Sequence, residues 1–472
     1  MVVMKFGGTS VADQAAIERL ITIVRAQRQA DARREDGDAR GPIVVVSALS
    51  GVTDRLLGIA TEAGAGDIEG ARSNLRHLLT RHLDSAGAVS GEQARADTMA
   101  FIRREFDELE RIVAALGVLR EVSPRWLDTV AATGEILSSR LVAAALTSHG
   151  LDAVWVDARL AVVTDAEHTR AAPLFPETTA ALMRHVDAPL AAGHVPVLGG
   201  FVAATRDGLT TTLGRGGSDF SAAIVGSCLD ADEIQIWTDV DGMLTADPRI
   251  VGNAQVVPHL SFAEASELAY FGAKVLHPST IQPAVARDIP VRILNSRRAD
   301  AAGTLIASRR PTSNRPLTAI ASKRQVTVVD VTSSRMLMAH GFLRRLFEVF
   351  ERFGTPVDVV TTSEVSVSIT VDDRRRLPDI VDALSEFAAV SCEHDMAIVC
   401  AVGEGLRREP ALACDVLLGI GDVPLRMLSQ AASRRNVTFV IREAHLPLAL
   451  GRLHDRFFAS TAAAAAENAA VS

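Results

Sequence analysis

Val2-Val3-Met4-Lys5-Phe6-Gly7-Gly8-Thr9-Ser10 decides how this chain is read. Four apolar residues and one lysine make a short strand that runs straight into two glycines. A lysine inside a buried strand costs several kcal/mol unless an anion compensates it. The glycines let the backbone turn and come close to a ligand. Thr9 or Ser10 stands where it can cap a helix starting near Val11, with the helix amides facing an anion. Lysine, bare backbone and helix start in that order point to a phosphate site. A snorkelling surface lysine beside an ordinary Gly-Gly turn is the alternative.

Apolar runs at 43–48, 153–156, 195–198, 234–237 and 290–294 continue the pattern, alternating with helical stretches at 11–29, 124–149, 218–229 and 261–271. Continuous Val/Ile strands between amphipathic helices predict an α/β unit with a mainly parallel sheet. The run 31–40 reads as a charged surface loop, and 66–120 as a helical insertion of mostly solvated charge. Near 299–317 the composition turns to Ala, Gly, Arg, Pro and Ser, which places a domain boundary there. Beyond it come strand 326–331, helix 341–353, strands 357–361 and 364–371, and helix 376–387. A similar order recurs as strand 397–402, helix 410–419, strands 424–429 and 437–441, and helix 446–458. Two such units imply a duplicated α+β regulatory or binding module. The alanine-rich stretch 460–472 is expected to be disordered.

A chain of 472 residues exceeds one ordinary core, so two or three domains are expected. The formal charge of −8 is mixed along the chain, with no basic face, which argues against nucleic acid as a partner. Cys228, Cys392, Cys400 and Cys414 lie outside CxxC or His-paired spacing, as expected of reduced thiols in a cytosol. There is no leader pattern before Lys5 and no apolar run of membrane-spanning length. The expectation is a cytoplasmic protein with no membrane partner.

Leu213-Gly214-Arg215-Gly216-Gly217-Ser218-Asp219 is the second strong signal. Glycines crowd an arginine that can grip a carboxylate or phosphate through two parallel hydrogen bonds, and Ser218 can cap the helix that follows. No Walker pattern occurs, and Asp219 stands where a Rossmann fingerprint needs its third glycine. Asp219 in a positive loop has a reason if it pairs with Lys5. A Gly-rich turn with a solvent salt bridge is the alternative. Ile236-Trp237-Thr238-Asp239-Val240-Asp241-Gly242 ends a strand in a polar turn, at the sheet edge where α/β folds place ligands. Glu135 falls opposite the apolar stripe Trp126, Val130, Leu137, Leu141 and Ala145, so periodicity alone makes it solvated. Ser47 and Thr53 follow a buried strand and can donate hydrogen bonds to a carboxylate.

Taken together these segments resemble one family. MKFGGTSV at 4–11, VVVSALSGVT at 44–53, TGEILS at 133–138, TTTLGRGGSD at 210–219, WTDVDG at 237–242 and FGAKVLHP at 271–278 all match. The chain resembles the aspartate kinases of the amino-acid-kinase superfamily, monofunctional and of the lysine-responsive class, from residue 2 to about 458. The resemblance implies a three-layer αβα kinase domain over 1–300, followed by ACT domains of βαββαβ type over 318–392 and 393–460. It implies transfer of the γ-phosphate of ATP, carried with Mg2+, to the side-chain carboxylate of L-aspartate. Lys5 and Asp219 would be catalytic. Arg215 would hold the substrate α-carboxylate and Glu135 its ammonium, with Ser47, Thr53 and Ser218 completing the pocket. ATP would meet Lys5, Phe6, Gly7, Gly8, Thr238, Asp239, Leu244, Arg249, Lys274 and Val275, with no metal ligands from the protein itself. Leu244 departs from the tyrosine many members carry there.

In the second half, Met336, Gly341, Val357, Asp358, Thr362, Ser363 and Glu364 would bind the effector, L-lysine alone or with threonine. Asp358 and Glu364 would answer its ammonium, and amides near Gly341 its carboxylate. Ala339 stands where some members have a hydroxyl. A homodimer or higher homo-oligomer is implied. No homoserine dehydrogenase module follows residue 460. The competing readings are a glutamate or N-acetylglutamate kinase, and a non-catalytic ACT sensor.

Overall fold

A computed structural model describes residues 1–33, 40–272, 278–308, 316–333, 340–409, 411–430 and 433–469, with side chains as far as residue 458. Contacts divide the chain into two compact units, 1–242 with 276–309, and 243–275 with 310–472.

The first unit is built on a parallel sheet whose strands run in the order 153–156, 195–199, 43–46, 2–6, 233–238, 291–295 and 304–307. The strand Val2–Phe6 is central, with Lys5 level with Val45 on one neighbour and Ile236 on the other. Only the last pairing, of 291–295 with 304–307, is antiparallel. Strand residues alternate between faces. Val2, Met4 and Phe6 therefore turn together into the main apolar core, and Lys5 turns the other way. A small second sheet joins 163–164, 202–205 and 210–212.

The stretch 66–120 forms helices Ile68–Ser85 and Glu92–Leu119. Its charges are solvated as expected, but Leu75, Leu78, Ile102, Phe106, Leu109, Val113 and Leu116 belong to the main core. A three- and four-residue spacing of apolar side chains buries that face. Helix Pro124–Ser148 is the one described helix long and apolar enough to span a membrane, and 83% of that stretch is buried within the fold.

Two expected helix caps move. Ser10 caps nothing; its hydroxyl donates to the Trp237 carbonyl at 3.2 Å and to Ser296 Oγ at 2.8 Å. A short turn at Gly8–Val11 comes first, and helix Gln14–Asp31 is capped by Asp13, which accepts from the Ala16 amide at 2.9 Å. Helix Gly217–Cys228 starts one residue before Ser218, with Gly216 as its cap at φ 73°, a left-handed conformation that glycine adopts without strain.

In the second unit, strands 360–362, 366–371, 319–332, 389–402, 436–442 and 427–429 make one antiparallel sheet in that order. The two α+β repeats merge through strands Ala319–Thr332 and Ala389–Val402, each 14 residues and longer than the apolar runs 326–331 and 397–402 suggested. Helices Phe342–Arg352 and Leu377–Ser385 cover one core and helices Ala411–Gly419 and Leu446–Ala469 another. Ala246 and Val251 join the latter core, so part of 243–275 groups with this unit. Helix Leu446–Ala469 extends into the alanine-rich stretch. Alanine has the highest helix propensity and extends a helix already started.

Phe6 is fully buried and stacks on Trp237 at 6.0 Å. Phe6→Ala is expected to destabilise the protein by about 3–5 kcal/mol, read as a lower midpoint in urea unfolding.

Candidate active site

The C-terminal end of the parallel sheet opens into a cleft of about 940 Å3. Lys5, Gly7, Gly8, Ser47, Thr53, Glu135, Arg215, Ser218, Asp219, Thr238 and Asp239 all line it, so residues more than two hundred positions apart converge. Lys5 Nζ lies 2.6 Å from Asp219 Oδ1, with the two side chains 10% and 15% exposed. The pairing follows from the fold. Helix Gly217–Cys228 packs on the sheet face that Lys5 occupies, and Asp219 is in its first turn, where helix dipoles favour a carboxylate.

Close approach of backbone builds the rest. A Cβ on Gly8 would stand 3.0 Å from the Ala48 carbonyl, so the turn after the first strand packs directly on the 47–53 loop. A Cβ on Gly200 would meet Ser218 Cα at 2.7 Å. The insertion contributes as well. Arg81 donates to the Ser50 carbonyl at 2.6 Å and the Ala12 carbonyl at 3.1 Å, tying both loops to helix Ile68–Ser85.

Glu135 and Arg215 are electrostatic opposites in different solvation. Arg215 is exposed, and no hydrogen bond or ion pair holds its guanidinium among the described residues. Glu135 is only 3% exposed, which corrects the solvated reading that periodicity gives. Its helix is buried on most sides, so no face of it is a solvent face. Burial pushes the carboxyl up to about 8, against the opposing pull of the Ala48 amide, the Thr53 hydroxyl and the Lys5 charge. Its Oε2 has no hydrogen-bond partner. Such an oxygen awaits a donor.

Several expected residues sit elsewhere. The Phe6 side chain points into the core, which leaves only its backbone on the site side; its carbonyl accepts from the Ser47 amide at 3.0 Å. Leu244 and Arg249 belong to the second unit. Arg249 is turned onto Asp247, at 3.0 Å through Nε and 2.7 Å through Nη2, and holds that carboxyl below its usual range. Lys274, Val275 and Met336 lie outside the described residues. Asp128, Thr169, Phe201 and Thr212 line the cleft and were missed. The signal for Asp128 was its place seven residues before Glu135 on one helix, a two-turn spacing.

The effector residues divide. Gly341, at φ 85°, begins helix Phe342–Arg352. Asp358 is ion-paired with Lys323 at 2.8 Å, and Lys323 also reaches Asp372 at 2.7 Å. Tyr270 donates its hydroxyl to the Val357 carbonyl at 3.0 Å. Thr362, Ser363 and Glu364 are exposed at a hairpin turn. The ladder runs from Asp358, whose amide donates to Thr370, to Ser363, whose amide donates to Ser366. Strand Val360–Thr362 lies between Asp358 and the turn that carries Glu364.

The sheet, its glycine-rich turns and the lysine–aspartate pair define a phosphotransferase of amino-acid-kinase type. The sequence profile of the Amino acid kinase family matches residues 1–295, and that of the ACT domain residues 399–457. Aspartokinase 3, chloroplastic, of Arabidopsis thaliana is 35% identical, over 97% of this chain and 81% of the relative. Lysine-sensitive aspartokinase 3 of Escherichia coli K12 is 33% identical, over 97% and 99%. The crystal structure of E. coli aspartokinase III in complex with aspartate and ADP, in its R-state, superposes with a TM-score of 0.81 at 32% identity, covering 97% of this chain and all of that one. The same enzyme with lysine and aspartate, in its T-state, also gives 0.81. This chain belongs to the aspartokinase family and is a kinase with an ACT region in its second half.

The Glu135 shift has a direction that can be measured. Between its ordinary value of 4.5 and about 8 the folded protein holds a proton that the unfolded chain releases, so the empty site loses stability as pH rises through that window. A bound ammonium favours the ionised form instead. The kcat/KM for the amino-acid acceptor is therefore expected to rise with pH up to about 8 and then level. Glu135→Gln should flatten that rise; a wild-type profile already flat across the window would exclude the role.

Proposed function

We propose that the chain transfers the γ-phosphate of MgATP to the β-carboxylate of L-aspartate, giving 4-phospho-L-aspartate and ADP. The observation that carries this is one cleft holding an ion-paired lysine, an unpaired guanidinium and a buried carboxyl with a free oxygen. Phosphoryl transfer asks for in-line positioning and charge neutralisation more than covalent chemistry. Lys5, oriented by Asp219, neutralises the transferring phosphoryl group beside the bare backbone of Gly7 and Gly8. Arg215 clamps the α-carboxylate with two parallel hydrogen bonds, Glu135 takes the ammonium, and Ser47, Thr53 and Ser218 close the pocket. An N-acylated amino acid has no ammonium for Glu135, which favours aspartate over N-acetylglutamate. The likeness to an aspartokinase solved with aspartate and ADP supports the same pair of ligands.

Thr238, Asp239, Leu244, Arg249, Lys274 and Val275 are assigned to the nucleotide, and Leu244 weakens its binding relative to members with tyrosine. Mg2+ enters on the phosphates of ATP. The catalytic domain is assigned to 1–300 and the ACT domains to 318–392 and 393–460. The product feeds lysine, threonine and methionine synthesis in the cytoplasm, an environment suited to four free cysteines.

L-lysine, alone or with threonine, is the effector, as the lysine-bound E. coli relative supports. Its ammonium goes to Asp358 by displacing Lys323. Glu364 also answers that ammonium, and the chain acts as a homodimer or higher homo-oligomer.

ADP release coupled to aspartate, glutamate and N-acetylglutamate tests the acceptor; no turnover on aspartate would sink the proposal. Lys5→Ala and Asp219→Ala are expected to lower kcat by about a hundredfold to a thousandfold, and near-normal rates in either would refute the assigned roles. Lys323→Ala should let lysine inhibit at lower concentration. An unchanged or higher inhibitory concentration would count against displacement.

A further inference from the structure

Asp128 stands two helical turns from Glu135, and both line the cleft. Their situations differ. Glu135 keeps a bare oxygen, whereas Asp128, with a side chain 1% exposed, is saturated. Thr212 Oγ1 donates to its Oδ1 at 2.5 Å. The Thr169 amide donates to both oxygens at 3.0 Å, and His168 Nδ1 bonds Oδ2 at 2.7 Å. A carboxylate so engaged has little capacity left for a ligand.

The donors come from two segments beside Arg215. Thr212 ends the strand Thr210–Thr212, and the turn carrying Gly214 and Arg215 follows at once. Thr169 is at φ 69°, a left-handed conformation that a β-branched residue avoids and that persists only when its surroundings impose it. Asp128 imposes it, by holding that residue's amide and the imidazole before it. The Thr169 carbonyl then backs onto Gly214, where a Cβ would stand 3.1 Å away. The Ala171 amide donates to the Thr212 carbonyl at 2.9 Å, closing the arrangement. Arg215 has no side-chain partner of its own among the described residues, so this backing sets its direction.

We propose that Asp128 is a positioning residue of the acceptor pocket: it locks the 168–171 loop to the strand before Arg215 and so aims that guanidinium at the acceptor's α-carboxylate. The inference rests on the reading of Arg215 as the carboxylate clamp. Small misplacements of a positioning group are magnified in rate, and their signature here is confined to one substrate.

Steady-state kinetics on Asp128→Asn, Thr212→Val, Arg215→Ala and the Asp128→Asn/Arg215→Ala double variant provide the test. Asp128→Asn is expected to raise the aspartate KM by about tenfold with the ATP KM within about twofold of wild type, and Thr212→Val to do the same more mildly, about threefold. In the double variant the aspartate KM should match that of Arg215→Ala alone, because the two act through one group. If Arg215→Ala leaves the aspartate KM unchanged, the clamp reading itself falls. If Arg215→Ala raises it and Asp128→Asn does not, the clamp stands and the positioning role is overturned. A parallel loss of both KM values, kcat and melting temperature in Asp128→Asn would also overturn it, as a purely structural role. Should Asp128→Asn fail to fold, Thr212→Val decides: an aspartate-specific rise supports the proposal, and an unchanged aspartate KM refutes it.

Discussion

One buried lysine constrains the whole first unit. Val2, Met4 and Phe6 commit their strand's face to the apolar core, and the alternation of the strand leaves Lys5 only the other side. An ammonium stripped of water there needs a counter-charge. Asp219 supplies it at 2.6 Å, and the helix that brings it also presents its own positive end. Lysine has three protons to donate, so one carboxylate does not exhaust the ammonium, which also lines the cleft. The pair that makes the strand tolerable also leaves a directed positive charge at the mouth of the sheet.

The two charges across the cleft from this pair do different work because water reaches them differently. Arg215 is solvated in the empty protein, so its lack of a partner costs little. Glu135 is buried with one oxygen bare, so its ionisation is suppressed until a donor arrives. Discrimination by a buried group left unpaired is stronger than discrimination by a solvated one. The amino group of the acceptor is accordingly the feature this pocket reads most strictly.

The parallel sheet was legible because continuous Val/Ile runs have few other fates, and the Lys5–Asp219 pairing because each residue alone was unreasonable in its surroundings. What sequence periodicity misjudged is equally physical. It placed Glu135 in solvent, since a hydrophobic stripe identifies a buried face only when the opposite face is wet, and helix Pro124–Ser148 has no wet face there. It gave caps to Ser10 and Ser218, where a tertiary partner claimed one hydroxyl and a left-handed glycine replaced the other. Asp128 stands two turns before Glu135, but its role was hidden because its partners His168 and Thr212 are 40 and 84 residues away. Two strands of the second unit were read too short for a related reason: 319–332 and 389–402 carry polar residues at their centres and pair with each other over most of their length.

Charge in that second unit is left incomplete in the same manner as in the cleft. Lys323 lies between Asp358 and Asp372, one cation against two carboxylates. Burial raises Asp358 above the ordinary carboxylate value even with Lys323 beside it, and its Oδ2 has no hydrogen-bond partner. One lysine shared between two carboxylates holds each less firmly than a closed pair would, so an ammonium that displaces it from Asp358 leaves it Asp372. The neighbouring Val357 carbonyl is already taken by the Tyr270 hydroxyl, at the C-terminal end of helix Phe262–Tyr270. The backbone beside Asp358 and the end of that helix are thus joined by a directional bond that tolerates little displacement. A ligand that shifts the one must either carry the other with it or break the bond.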